Sequence, residues 1–324
     1  MKAIRIHKAG GPEILSYEDV DLPPPEANEA RVRHTAIGVN FIDTYQRSGL
    51  YKLPKLPSGI GNEAAGHVEA IGANVRGVRV GDRVGYCSGA IGSCAEANNV
   101  PADRLVKLPD GISDETAAAA LLKGMTAQYL LKRTYAVKPG ETILVHAAAG
   151  GVGLILCQWA KHIGAVVIGT VGADDKIELA RSHGCAHVLN QRKDNIAARV
   201  REITNGAGVS VVYDGVGKDT FTASLDSLAV RGMMVSFGNA SGAVPAFEPL
   251  LLSSKGSLFF TRPTLAHYTR EREELQATAS GLFEVIENGA VKIEVRQRFK
   301  LVDARKAHEA LHARATTGAT ILVP

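Results

Sequence analysis

The chain of 324 residues carries no apolar run near the ~18 residues needed to cross a bilayer, and its opening, MKAIRIHKAGG, has no apolar segment of the secretory kind. Both absences predict a soluble intracellular protein, with the cytoplasm as the expected address. Cysteine is scarce: Cys87, Cys94, Cys157 and Cys185 show no C-x-x-C spacing, so a disulfide framework is excluded and free thiols in a reducing compartment are expected. Aromatic residues make up only 5% of the chain, and the net charge of +4 comes without a block of Lys or Arg. RNA binding calls for a basic face with exposed aromatics, so nucleic acid is not an expected partner. Internal repeats and low-complexity tracts are missing as well.

Apolar residues are plentiful, 45% of the total, and at about 100–200 residues per domain the length predicts two domains. From Met1 to about Pro109, short alternating runs at 2–7, 30–37, 67–71 and 83–86 are separated by Gly, Pro and Asn, which predicts a barrel-like β domain. Residues 113–131 turn helical, opened by Ser113 or Thr116. Beyond them strand and helix alternate, with strands expected at 142–146, 166–171, 186–189, 210–213, 233–237 and 258–261. Helices are expected between them, one capped by Asp174 or Asp175, others over 194–204 and 219–228. Six strands joined by helical crossovers predict a doubly wound parallel sheet, and hence an α/β fold class. A charged helix (269–288), a strand (292–299), a helix opened by Asp303 and a last run (319–323) follow. This β-rich tail is expected to return to the N-terminal domain.

The rest of the chain is organised around residues 141–164, ETILVHAAAGGVGLILCQWAKHIG. A buried strand, a turn of small residues and an apolar helix ending at Gly164 come in that order. A helix N-terminus offers unpaired N–H groups and partial positive charge, which suits a pyrophosphate. Ala148, Gly150 and Gly153 fall on the G-x-G-x-x-G spacing, with alanine first. The first small residue is expected to allow the turn, Gly150 to admit the phosphates, and Gly153 to let the helix pack closely. A dinucleotide-binding carboxylate is absent where the second strand ends, at Thr170, Val171 and Gly172, so nothing there repels a 2′-phosphate. Lys176 follows within reach, and NADPH is the expected cofactor.

Several ordered motifs carry a resemblance: AIGVNFIDTYQRSGLY (36–51), GNEAAGHVEAIG (61–72), KGMTAQYLL (123–131), HAAAGGVG (146–153), VVYDGVG (211–217), VSFGNASG (235–242) and RATTGA (314–319). The chain resembles the zinc-free quinone oxidoreductases, the ζ-crystallin group of the medium-chain dehydrogenase/reductase superfamily, over essentially its whole length. The resemblance implies a GroES-like β-rich catalytic domain (1–124 and 266–324) and a Rossmann NADPH-binding domain (125–265). It implies reduction of quinones by hydride or electron transfer in an interdomain cleft. The enzymatic alternative is an enone or enoyl reductase, and a binding or crystallin-like structural role ranks below both.

Zinc enzymes of this superfamily place Cys and His ligands where Asn40 and Asn62 stand, and carboxamides are not usual zinc ligands, so no metal is expected. The resemblance places Asn40, Asp43, Tyr45 and Tyr51 at the cleft wall as catalytic candidates. Asn40 and Tyr45 are expected to orient cofactor and substrate, and hydrogen-bonded loop structure is the alternative for Asp43 and Tyr51. Cofactor contacts are expected from Asn40, Phe41, Tyr45, Thr126, Tyr129, Gly150, Gly151, Val152 and Gly172. Further ones are expected from Lys176, Phe237, Gly238, Asn239, Pro263, Leu265 and Arg314. Gln191 is included, although the family often has Tyr there. Finally, the uncharged run SLFFT (257–261) on the sixth strand would leave an exposed sheet edge, so a homodimer pairing that strand with its copy is expected.

Overall fold

The β-rich opening builds two sheets, and the alternating pattern explains why. Glu29–Val39 buries every second side chain at first and then all of them as it enters the core. The computed structural model describes residues 1–324, which fall into two compact units: Met1–Met125 with Thr269–Glu287 and Ile293–Pro324, and Thr126–Tyr268 with Asn288–Lys292.

In the first unit, Lys2–Ile6 lies between Ser16–Asp19 and Ser58–Gly59 in a small antiparallel sheet. The larger sheet runs in the order Val295–Lys300, Ala319–Val323, Glu29–Val39, Glu63–Ile71, Arg83–Tyr86, Val106–Lys107, with Ala97–Pro101 also paired to Glu29–Val39. The tail does return: Ala319–Val323 lies antiparallel to Glu29–Val39, with Ile321 opposite Gly38, and parallel to Val295–Lys300. Val32, Ile37, Val68 and Tyr86 share one core with Leu301, Leu311 and Leu322. Ser113 does open the helix Asp114–Tyr129, accepting a hydrogen bond from the Thr116 N–H at 3.1 Å, and a π turn over Leu130–Thr134 ends it. The expected helix at 269–288 spans only Arg272–Glu287, because Leu265–Tyr268 forms a separate short helix.

The second unit is a six-stranded parallel sheet: β1 (Thr142–Val145), β2 (Val166–Val171), β3 (His187–Asn190), β4 (Val209–Asp214), β5 (Leu228–Ser236) and β6 (Phe259–Thr261). Its order is 3-2-1-4-5-6, the doubly wound arrangement. Ile143, Leu144, Val145, Val167 and Ile168 are fully buried, as strands covered on both faces require. The principal crossover helices are α1 (Gly151–Ile163), α2 (Ile177–Ser182), α3 (Ile196–Ile203) and α4 (Phe221–Ser227). The helix expected over 194–204 spans Ile196–Ile203 and is capped by Asn195, whose side chain accepts the Ala198 N–H at 3.2 Å. Strand β6 forms one edge of the sheet, and Phe259 there is 58% exposed. No helix is long and apolar enough to cross a membrane.

Candidate active site

Strand β1 ends under the glycine turn, and the turn is tighter than its motif suggests. The left-handed residue is Ala147, at φ 53°, and not Ala148. Ala148 is fully buried for a different reason: a Cβ on Gly169 of β2 would come within 2.8 Å of the Ala148 methyl, so the turn and β2 meet where neither can carry bulk. A Cβ on Gly153 would lie 2.2 Å from the Ala147 carbonyl oxygen and 2.8 Å from the Ala148 Cα. Gly153 thus packs α1 onto the turn itself. Gly150 is the N-cap of α1 and no side chain caps the helix, so its first-turn N–H groups stay available to an anion, with Gly151 and Val152 only half-buried. This cradle fits a dinucleotide pyrophosphate.

At the end of β2, Thr170 and Val171 are buried and Gly172 is half-buried, with no carboxylate among them. Asp174 does not cap a helix as expected. A 3-10 turn, Asp174–Lys176, precedes α2, and the Asp174 carboxylate accepts from Asn190 Nδ2 at 2.6 Å and pairs with Lys193. The Lys193 ammonium, followed by the Asn190 amide, holds its carboxyl below the usual range. Lys176 closes the turn, half-buried, and Gln191 sits at the end of β2, its N–H bonding the Val171 carbonyl at 3.0 Å and its Nε2 4.0 Å from where a Cβ on Gly172 would lie.

Beyond β5, the Phe237 N–H bonds the Asp214 carbonyl at 2.8 Å, and a Cβ on Gly238 would lie 2.4 Å from the Gly215 oxygen. The loops after β4 and β5 are therefore in backbone contact, and Asn239 continues the second of them. Pro263 and Leu265 follow β6, where Arg262 Nη1 bonds the Ser236 carbonyl at 2.8 Å. Thr126 is buried, and the Tyr129 ring stacks on Tyr268 with centroids 4.4 Å apart. Burial pushes the Tyr129 phenol up.

In the first unit the helix Phe41–Ser48 begins at Asn40, whose N–H donates to Asp43 Oδ2 at 2.7 Å. Asn40 Nδ2 donates to Glu63 Oε2 at 2.8 Å, and Lys123 Nζ stands 3.1 Å from the same oxygen. Asn62 Nδ2 donates to Asp43 Oδ1 at 2.6 Å and to Gln46 Oε1 at 2.8 Å. Both Asp43 oxygens are thus engaged in holding the helix start. Tyr45 is buried and meets the exposed Tyr51 edge to face, centroids 5.2 Å apart, with the Phe41 ring centroid 6.3 Å away. Glu63 and Lys123 escaped the sequence reading, since 60 positions separate them and neither motif shows the pairing. Amide nitrogens turned to carboxylates, with an ammonium already on Glu63, are the wrong donors for zinc. Arg314 adopts φ 55° on the exposed turn before the last strand.

Burial pushes Asp43 up to about 7 against the pull of Asn62, the Asn40 N–H and Lys123. Burial also pushes His34 down to about 4 and His308 to about 3, with the Arg47 charge adding to the latter. His34 is held neutral by geometry, donating from Nδ1 to the Ala95 carbonyl at 2.7 Å and accepting from the Tyr86 hydroxyl at 2.9 Å. Between about pH 6.5 and 4 the unfolded histidines take up protons that the folded ones refuse, so stability falls with pH; Asp43 acts in the opposite sense. His146, also pushed down by burial, acts with the other two histidines, so three histidines stand against one carboxylate and the net loss is at least about 1.4 kcal/mol for each pH unit of acidification. Urea titrations followed by circular dichroism at pH 4.5, 5.5 and 6.5 check this, and rising stability toward acid would contradict it.

A 3-2-1-4-5-6 parallel sheet with a glycine cradle at its first helix, carried with a β unit that takes back the C-terminal strand, defines a nicotinamide-dependent dehydrogenase or reductase. Residues 26–110 match the alcohol dehydrogenase GroES-like domain, and residues 151–284 the zinc-binding dehydrogenase family. A quinone oxidoreductase of Pseudomonas aeruginosa is 54% identical over 323 residues, covering 100% of this chain and 99% of the relative. A 2-haloacrylate reductase of Burkholderia is 44% identical, covering 98% of each chain. The crystal structure of Escherichia coli quinone oxidoreductase complexed with NADPH is 50% identical and superposes with a TM-score of 0.98 over 100% of both chains. The chain belongs to the quinone oxidoreductases of the medium-chain dehydrogenase/reductase superfamily.

Proposed function

We propose that this protein is an NADPH-dependent quinone reductase that works without a metal. The observation that carries the reading is whole-length likeness to quinone oxidoreductases at 50% and 54% identity. The reduced nicotinamide supplies a hydride when bound, and a quinone accepts it readily because the product regains aromaticity. The protein's task is then to hold the reactants close and exclude water. Gly150, Gly151 and Val152 bind the pyrophosphate with backbone, and Phe237, Gly238, Asn239, Pro263 and Leu265 form the wall at the carboxyl ends of β5 and β6. Thr126 and Tyr129 contribute side chains beside them. Asn40 and Tyr45 orient cofactor and acceptor. Asp43 fixes Asn40 at the helix start, and Tyr51 supports the Tyr45 ring.

The 2-haloacrylate reductase among the relatives favours a second acceptor class, the conjugated carbonyls. Steady-state NADPH oxidation with a panel of quinones and enones separates the two. Turnover with enones alone would overturn the quinone assignment.

Lys176 and Arg314 are assigned to the 2′-phosphate, at about 1.5–3 kcal/mol for a charge-assisted hydrogen bond. Lys176→Ala is expected to weaken NADPH about tenfold and leave NADH nearly unchanged. Fluorescence quenching with both cofactors in wild type, Lys176→Ala and Arg314→Ala measures this. Equal wild-type affinities would refute 2′-phosphate recognition.

A homodimer built on β6 is part of the same proposal, supported by an edge strand whose Phe259 is 58% exposed. Light scattering at micromolar concentration is expected to report two chains, and Phe259→Lys one chain. The four cysteines are buried and unpaired, which supports a cytoplasmic address.

A further inference from the structure

Asp214 ends β4, is fully buried, and has no cation among its hydrogen-bond partners. Four donors satisfy it instead. Oδ1 accepts the Val216 and Gly217 N–H groups at 2.8 and 3.0 Å, and Oδ2 accepts the Thr220 and Ser224 hydroxyls at 2.7 and 2.8 Å. Its own carbonyl takes the Phe237 N–H at 2.8 Å. One side chain thus shapes the Gly215–Gly217 turn, while its backbone ties down the loop after β5. The two loops leave no slack: a Cβ on Gly217, at φ 93°, would lie 2.5 Å from the Gly242 oxygen, and one on Gly238 would lie 2.4 Å from the Gly215 oxygen.

Donor counting extends the arrangement across the sheet. Because Oδ2 only accepts, the Ser224 hydroxyl spends its proton on it and must accept from His146 Nε2, 3.0 Å away. The His146 Nδ1 atom is then bare and accepts from the Thr170 hydroxyl at 2.9 Å. Burial, which pushes His146 down against the Asp214 charge, supports the neutral ring. The chain of donors therefore runs Thr170, His146, Ser224, Asp214, from the end of β2 beneath the glycine turn to the end of β4.

The geometry points to Asp214 as the positioning residue for the nicotinamide half of the cofactor, acting through the 215–217 turn and the loop of Phe237–Asn239 and oriented by the Thr170–His146–Ser224 chain. This rests on the NADPH reading above, so the test uses two ligands. NADPH spans both halves of the site, whereas adenosine 2′,5′-bisphosphate occupies only the adenosine half. Wild type binding neither would defeat the cofactor reading itself, whatever the variants do.

In Asp214→Ala, calorimetric titration is expected to show NADPH affinity reduced at least tenfold and the bisphosphate within twofold of wild type. Equal loss of both, or loss of neither, overturns the inference. Asp214→Asn serves where the alanine variant fails to fold. An amide oxygen on the two N–H groups turns the amide NH2 to the hydroxyls, which reverses the chain: Ser224 then donates to His146 Nε2, and His146 Nδ1–H donates to Thr170. NADPH affinity is expected to fall several-fold with the bisphosphate again unmoved. 15N NMR is expected to find His146 protonated on Nε2 in wild type and on Nδ1 in Asp214→Asn. An unchanged tautomer in a folded Asp214→Asn, or loss of both ligands there, would likewise overturn it.

Discussion

Gly153→Val is expected to reduce NADPH affinity by at least about 100-fold, or about 2.7 kcal/mol. The added Cβ would lie 2.2 Å from the Ala147 oxygen and 2.8 Å from both the Cα and the carbonyl carbon of Ala148. All three are backbone atoms, and Ala148 cannot retreat because it is already pressed against Gly169 of β2. The helix must therefore lift, and its first-turn N–H groups leave the position where a pyrophosphate would meet them. Gly150→Ala provides a graded control, since its nearest neighbour would be the Ala147 oxygen at 3.1 Å, and a smaller loss is expected. Fluorescence titration with NADPH decides between them. Binding within threefold of wild type in Gly153→Val would mean that the turn is not the phosphate cradle.

Lys123→Met is expected to destabilise the first unit by about 3–5 kcal/mol, the usual cost of leaving one member of a buried ion pair behind. Glu63 is fully buried, and its side chain reaches Leu122 N at 2.6 Å, Asn40 Nδ2 at 2.8 Å and Lys123 Nζ at 3.1 Å. Gly38 leaves room for it, because a Cβ there would lie 2.1 Å from Glu63 Oε2. Removing the ammonium strands a carboxylate with no access to water. The double variant Glu63→Gln/Lys123→Met removes both charges and is expected to recover most of the loss. Calorimetric unfolding of the three proteins measures it. If the double variant is no more stable than Lys123→Met, the ion pair is not the cause.

Much of this was legible in the sequence where chemistry is local. Strands such as Val166–Val171 are apolar but for one threonine, and Gly164 stops α1 at φ 99° where a helix C-cap is expected. The glycine turn was legible as a motif but not as a packing problem: which alanine turns left-handed depends on β2, which Ala148 meets through Gly169. Asp174 read as a cap because its partners, Asn190 and Lys193, lie 16 and 19 positions on, across a helix and a strand. The Asp214 chain was out of reach for the same reason. Its members at 146, 170, 214 and 224 belong to separate elements, and nothing in their spacing marks them. Side-chain polarity announces a need for partners; only the topology names them.

The place of the last strand bears on how the molecule is made. Ala319–Val323 sits inside the larger sheet, flanked by Val295–Lys300 and Glu29–Val39. The first unit thus closes a contact between residue 39 and residue 320, whereas the parallel sheet of the second unit closes within Thr142–Thr261. Loop closure over such a separation slows assembly. During synthesis the parallel sheet has all its strands while Ile37–Val39, the end of that strand not covered by Ala97–Pro101, still lacks its neighbour, so a ribosome-bound chain displays a short, open, apolar β edge until Thr320–Leu322 emerge.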